Sequence, residues 1–121
     1  MAEQRLPPEI QQAIIEFENI RNMLAKVETE LRLTESELLE IDEVIANIKD
    51  LPDDVELYKS VGHILIKKDR ESLMKELEER KELLQLKQQK YRNQLEQLRK
   101  QFSESEKRLR ELLAKYGIKS G

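Results

Sequence analysis

The stretch that decides the fold is residues 55–67, V-E-L-Y-K-S-V-G-H-I-L-I-K, the only part of the chain with a sheet-like pattern. Its first half alternates apolar and polar residues, as in a strand with one covered face. A loop containing Gly62 follows, and residues 64–66 then form an uninterrupted apolar run. Two short runs of strand-forming residues around such a loop predict a β-hairpin.

A lone two-stranded hairpin is at best marginally stable in water. The second strand is apolar on both faces, which is typical of a strand covered on both sides. Two helices that meet the hairpin at their ends cannot easily cover it. We therefore expect other chains to supply further strands.

The segment before the hairpin has a regular heptad pattern, which is typical of a coiled coil. Pro8 suits the first position of a helix, and Leu51-Pro52 ends it. Eleven of the twelve seam residues are apolar, and Thr34 is the polar one. The a positions are Ile10, Phe17, Leu24, Leu31, Leu38 and Ile45, and the d positions are Ala13, Ile20, Val27, Thr34, Ile41 and Ile48.

The segment after the hairpin has a less regular heptad pattern, with Asp69 as the expected N-cap and Gly117 as the terminator. The sequence thus predicts one domain over residues 1–121, with helices at 8–49 and 69–116 and a hairpin at 55–67. The fold class is dominated by α-helix: a long antiparallel two-helix coiled coil with one β-hairpin at the bend. A simple register places Thr34 opposite Gln88, and Phe17 opposite Ser105. A register shifted by one helical turn stays open as the alternative.

Several apolar residues lie outside the seam. Those near the hairpin are either scattered surface residues or contacts to neighbouring subunits: Leu39, Val44, Leu73, Leu83 and Leu86. Others gather where the first helix begins and the second ends, with Leu6 nearby. They either seal the end of the coil or form an exposed apolar binding surface.

Composition disfavours several classes of function. Net charge is −3, with 22 Lys+Arg against 25 Asp+Glu, which does not favour a nucleic-acid partner. There is no Cys, and hence no disulfide or thiolate metal site. No apolar run reaches the roughly 20 residues that span a bilayer, and no signal peptide is recognisable. We expect a soluble cytoplasmic protein without a membrane partner.

No catalytic constellation is visible in the sequence. His63 is the only histidine and is interpreted as a turn residue. No phosphate-binding glycine motif occurs, and the carboxylates are interspersed with Lys and Arg as on solvated helix faces. We predict no enzyme activity, no catalytic residues, no metal and no cofactor.

The whole chain resembles the prefoldin family, specifically its archaeal β-type subunit. The most specific motif is L-P-D-D-V-E-L-Y-K-S-V-G-H-I-L-I-K at residues 51–67. The segments L-P-P-E-I-Q at 6–11 and K-E-L-E-E-R-K-E-L-L-Q-L at 75–86 also resemble the family. A single hairpin matches the β type, because the α type carries two.

The resemblance implies an assembly of two α-type and four β-type subunits, whose hairpins pool into a double β-barrel. It implies an ATP-independent chaperone, or holdase, that captures unfolded protein at the coiled-coil tips and passes it to a group II chaperonin. The implied assembly residues are Val55, Leu57, Tyr58, Val61, Gly62, Ile64, Leu65 and Ile66. The implied client-binding residues are Ile10, Ile14, Ile15, Phe17, Leu109, Leu112, Leu113, Tyr116 and Ile118. Charged tip residues implied for the chaperonin are Glu9, Lys115 and Lys119.

Two alternatives remain open from the sequence. A purely structural coiled-coil scaffold explains the heptads but neither the hairpin nor the apolar helix ends. A helical arm that binds RNA requires a basic stripe, and the chain offers only a local density: Lys87, Lys90, Arg92, Arg99 and Lys100.

Overall fold

The computed structural model describes residues 5–118 and confirms the predicted fold class of two long helices with a two-stranded hairpin between them. The elements in chain order are α1 (Pro8–Asp50), β1 (Leu57–Val61), β2 (Ile64–Lys68) and α2 (Arg70–Lys115). The predicted boundaries differ by a residue or two at most ends.

Each helix begins at the signal that the sequence carries for it. Pro8 is the first residue of α1, and the carbonyl of Pro7 accepts the amides of Ile10 and Gln11, both at 3.0 Å. Asp69 caps α2, because its Oδ1 accepts the amide of Ser72 at 2.8 Å. These hydrogen bonds satisfy helix-terminal amides that would otherwise lack partners.

The hairpin is antiparallel, with Val61 paired to Ile64 across a two-residue loop. Gly62 in that loop has a φ of 60°, a conformation that glycine adopts without steric strain. Val55 precedes the strands instead of starting one, which corrects the predicted hairpin boundary. Its amide donates to the carbonyl of Pro52 at 3.2 Å, so it belongs to the turn that follows α1.

The chain divides into two compact units. The terminal unit comprises Met1–Glu30 and Tyr91–Gly121, and the hairpin unit comprises Leu31–Lys90. Both long helices contribute to each unit.

In the terminal unit, the start of α1 and the end of α2 run antiparallel. The rings of Phe17 and Phe102 lie 5.0 Å apart between centroids with a 30° angle between planes. Arg108 lies 3.7 Å from Glu16 in an ion pair between the helices. Phe17 therefore packs on Phe102, one helical turn away from the Ser105 of the simple register.

In the hairpin unit, the two helices enclose an apolar core of Leu38, Ile41, Ile45 and Leu84, with Met74 and Leu77 packed against it. Thr34 is also buried, at 7% exposure.

Polar contacts beside this core link α1 to α2. The side-chain amide of Gln88 donates to Glu35, the neighbour of Thr34, at 3.3 Å. Lys81 lies 2.7 Å from Asp42, and the hydrogen bond to that carboxylate raises the pKa of Lys81. The charge of Lys81 is thus balanced by an acidic side chain on the facing helix.

Candidate functional site

The hairpin presents apolar side chains to solvent on both of its faces. The strand register places Val61, Ile64 and Ile66 on one face, where they are 50%, 66% and 43% exposed. Tyr58 and Leu65 occupy the opposite face, at 51% and 68% exposure. Apolar side chains on each face thus stay exposed within this chain, and their coverage by strands of other chains remains a prediction.

Glu76 of α2 connects the hairpin to the helix beneath it. Its carboxylate accepts a hydrogen bond from Lys59 of β1 at 3.0 Å and lies 3.5 Å from Lys68 of β2. The hydrogen bond from Lys59 is the main reason that the pKa of Glu76 is lowered. Because Lys59 and Lys68 lie on the same face of the hairpin, that face is the one turned toward α2.

Arg70, the first residue of α2, holds the loop that follows α1. Its guanidinium donates to the carbonyls of Leu51 and Pro52 at 2.9 and 2.7 Å, and lies 3.5 Å from Asp53. Those carbonyls lie just beyond the end of α1, where backbone acceptors lack helical partners. Arg70 therefore ties together the two connections through which the hairpin joins the helices.

Sequence reasoning missed both Glu76 and Arg70. Each sits among many charged residues in α2, and nothing in the local pattern distinguishes them. The contacts of Glu76 depend on where the two strands place Lys59 and Lys68, which a local sequence pattern does not reveal.

At the terminal unit, the residues before α1 are held against its first turn. The side-chain amide of Gln11 donates to the carbonyl of Leu6 at 2.7 Å. Leu6 is 39% exposed, so it adds apolar surface at this end of α1. It belongs with the predicted client-binding residues by position.

The end of α2 closes in a Schellman motif. The amide of Ile118 donates to the carbonyl of Leu113 at 2.8 Å, and the amide of Gly117 to Ala114 at 3.1 Å. Gly117 has the required positive φ of 68°. Ile118 is therefore fixed in place by the helix terminus, half-buried, close in sequence to the other apolar residues of α2.

Polar contacts join the two helix ends. The hydroxyl of Tyr116 donates to Glu9 at 2.9 Å, and this hydrogen bond raises the pKa of Tyr116. Lys115 lies 3.8 Å from the same carboxylate and 5.6 Å from the centre of the Tyr116 ring. Glu9 thus contacts both the last residue of α2 and the residue that follows it.

The predicted client-binding residues fall into three groups by exposure. Ile10 has no exposed surface, while Ile15 and Tyr116 are 58% and 44% exposed. The remaining predicted residues are half-buried: Ile14, Phe17, Leu109, Leu112, Leu113 and Ile118. All nine lie in the terminal unit. Ile10 can support this surface from below but offers no atoms to a ligand.

The off-seam apolar residues of the hairpin unit are mostly solvent-exposed. Leu39 and Leu86 are 72% and 70% exposed, and Val44 and Leu83 are 44% and 49% exposed. Leu73 is half-buried beside the hairpin. The hairpin unit thus adds apolar helix surface to the apolar strands.

Among residues 5–118, no cluster of three or more histidine or acidic side chains is placed to hold a metal ion. Within the same range, no helix carries an apolar segment long enough to cross a lipid bilayer.

Comparison with known proteins identifies the class of this chain. Residues 11–116 match the family model described as "Prefoldin subunit". The chain therefore belongs to the prefoldin subunit family, whose members are chaperone subunits and not enzymes, as the sequence analysis predicted.

Individual relatives specify the β type. The chain is 37% identical over 118 residues to the prefoldin subunit beta of Sulfurisphaera tokodaii, covering 98% of this chain and 94% of the relative. It is 39% identical over 121 residues to the prefoldin subunit beta of Saccharolobus islandicus, covering 100% and 95%. The crystal structure of the prefoldin beta subunit from Thermococcus strain KS-1 matches with a TM-score of 0.77 and 26% identity, over 92% of this chain and 97% of that one. The resemblance to a β-type subunit is thereby confirmed.

Proposed function

We propose that this chain is the β-type subunit of a prefoldin complex that acts as an ATP-independent holdase. In this proposal the terminal unit binds unfolded protein, and the complex passes the client to a group II chaperonin. The observation that carries it is the set of apolar side chains at the paired helix ends, of which Ile15 and Tyr116 are the most exposed.

The proposed mechanism is physical and requires no covalent chemistry. Non-native proteins expose apolar segments that folded proteins bury, so an apolar surface selects them by exposure. A single small patch binds weakly. Several copies in one complex raise the overall affinity through effective concentration, without a tight individual site.

Assembly is assigned to the hairpin. We propose that two α-type and four β-type subunits pool their hairpins into a double β-barrel, which would cover the exposed strand residues. The apolar exposure of Ile64, Leu65 and Ile66 supports this, since burying such side chains is favourable. Gly62 contributes the tight turn, and Val55 contributes the turn before β1 instead of a strand contact.

Charged residues at the helix ends are proposed to meet the chaperonin. Glu9 and Lys115 lie 3.8 Å apart and are both substantially exposed, so either can exchange its partner at little cost. Lys119, the third residue implied for this contact, lies outside the described residues. Action in the cytoplasm stays a prediction from the sequence.

The test of holdase activity is suppression of aggregation. The chain and its α-type partner are mixed with a denatured, aggregation-prone protein, and light scattering is followed without ATP. We expect suppression at molar excess. Removal of residues 110–121 is expected to weaken suppression while the complex sediments as before. Full aggregation with the intact complex would contradict client binding.

The test of assembly uses Ile64→Asp and Ile66→Asp. Each places a charge on a strand surface proposed to be buried between subunits, which is costly without a partner. We expect the oligomer to dissociate in sedimentation while helical circular dichroism is retained. An unchanged sedimentation profile would exclude the hairpin as the assembly element.

A further inference from the structure

The hairpin unit contains a groove that the proposed barrel does not account for. It has a volume of about 510 Å³ and lies along α2 beside Lys59 of β1. Its apolar walls come from Leu73, Leu77 and Leu83.

The charges at the rim of this groove are unequal. Lys59 is paired with Glu76, and Arg80 donates to both carboxylate oxygens of Glu37, each at 3.0 Å. Glu79 also lines the groove, and in the described part of the chain it makes no ion pair or hydrogen bond through its carboxylate. The groove thus offers an apolar floor next to one acidic side chain available to a cation.

The hairpin carries a complementary pair of side chains. Leu65 is 68% exposed and lies two residues before Lys67 on the same face of β2. Lys67 pairs with Glu56 of its own chain at 3.2 Å, but its side chain stays 65% exposed, so it can exchange this partner at little cost. Residues two apart on a strand are separated by about 6.5–7 Å. Leu83 and Glu79 are four apart on α2, a spacing of about 5–6 Å between side chains. The leucine and lysine of the hairpin and the leucine and glutamate of α2 therefore have similar spacings.

The match cannot be made within one chain. Lys59 and Lys68 both reach Glu76, which turns their face of the hairpin toward α2. Leu65 and Lys67 lie on the other face, away from the groove of their own chain. Only another molecule can present this pair to the groove.

We propose that the groove receives the Leu65 side chain of a second copy of this chain, while Lys67 of that copy pairs with Glu79. The contact joins two different surfaces, so the two copies in contact are arranged head to tail and not as a symmetric dimer. The inference rests on the proposed assembly through the hairpin. It adds the α2 groove as the surface that binds the hairpin of another copy. It also specifies which residues of the two copies are in contact.

Disulfide trapping tests the contact directly, because the chain has no native Cys. One copy, without a tag, carries Leu65→Cys. A second copy carries Leu83→Cys and a tag that distinguishes it by size. Both are assembled with the α-type partner and oxidised mildly. Leu86→Cys is the matched control, because Leu86 is 70% exposed on α2 and does not line the groove.

We expect a disulfide-linked pair of one tagged and one untagged copy for positions 65 and 83, at least tenfold more abundant than for positions 65 and 86. Equal yields at the two positions, or no linked pair in a complex that sediments normally, would overturn the proposal. In that second case the hairpin assembly would stand and only the groove contact would fail. A complex that Ile64→Asp does not dissociate would instead contradict the assembly itself.

A charge exchange tests the polar half of the contact. Glu79→Lys places like charges opposite each other, and we expect association between copies to weaken about fivefold. Lys67→Glu on its own is expected to weaken it similarly. The two changes together in every copy should restore most of the affinity, since the pair is re-formed between molecules. Additive weakening in the double variant would refute the pairing.

Discussion

Replacing Ile15 by Gln is the sharpest test of which surface binds clients. Ile15 is 58% exposed near the start of α1, so the substitution leaves no cavity and is expected to change the free energy of unfolding by less than about 0.5 kcal/mol. A bound client would cover the exposed part of this side chain. Complete burial of an isoleucine contributes about 1.5–3 kcal/mol, so the exposed fraction corresponds to about 1–2 kcal/mol for each terminal unit engaged.

That loss predicts a 5- to 30-fold weaker affinity of each unit for an apolar segment, by the conversion of about 1.4 kcal/mol per factor of ten. Because several units act on one client, the complex is expected to lose more than a single unit does. The assay is aggregation suppression of a denatured client by the full complex, titrated to half-maximal effect. Thermal melting followed by circular dichroism verifies that the fold is unaffected.

Met23→Gln is the matched control. Met23 is also 58% exposed on α1 in the terminal unit, but it lies about two helical turns further from the helix end. We expect this variant to suppress aggregation as the unmodified complex does. Equal losses from the two substitutions would show that overall hydrophobicity, and not the helix end, sets client binding. No loss from Ile15→Gln would refute the assignment of Ile15.

Three further predictions concern stability and titration. Leu84→Ala removes a side chain that is 1% exposed and is expected to lower the free energy of unfolding by about 2–5 kcal/mol in chemical denaturation, whereas the exposed Leu86→Ala should cost less than about 0.5 kcal/mol. Hydrogen bonds in the first turn of α2 lower the pKa of Asp69. The stability that the ionised Asp69 carboxylate adds to the fold is therefore present above the unfolded pKa and is lost as pH falls through the lower folded pKa. Asp69→Ala should therefore lower the Tm at neutral pH but not in strong acid. Asp69→Asn should keep the helix cap and remove this pH dependence. Equal Tm differences between Asp69→Ala and the unmodified chain at both pH values would contradict this. The pKa of Tyr116 is raised mainly by its hydrogen bond to Glu9, so that contact is present below the ordinary tyrosine pKa and lost as pH rises through the folded value. Glu9→Gln should lower the Tyr116 pKa in an ultraviolet titration, and an unchanged titration would refute the contact in solution.

Short-range signals account for the parts of the fold that the sequence predicted well. Pro8, Asp69 and Gly117 mark helix termini through backbone rules that involve only neighbouring residues. The hairpin follows from a glycine between two strand-forming runs. Its need for partners stays a prediction, which rests on the small size of a two-stranded sheet and on the exposure of its apolar residues in this chain.

Positions that depend on two distant segments were predicted less well. Phe17 packs on Phe102, one turn from the Ser105 of the simple register, because the offset between two helices is set by the summed fit of side chains along both of them. A heptad pattern fixes which face of each helix is buried but leaves that offset free by a turn.

The sequence by itself determined the secondary structure, the buried face of each helix and the family. Those features arise from periodicity and from local backbone preferences, which each segment carries independently of its partner. The tertiary structure decided which of the apolar residues at the helix ends remain available. The family resemblance implies both Ile10 and Ile15 as client-binding residues, yet Ile10, a seam residue, is fully buried and Ile15 is 58% exposed. It also decided that Glu76 receives a lysine from each strand, because only the folded hairpin brings residues 59 and 68 to the same carboxylate.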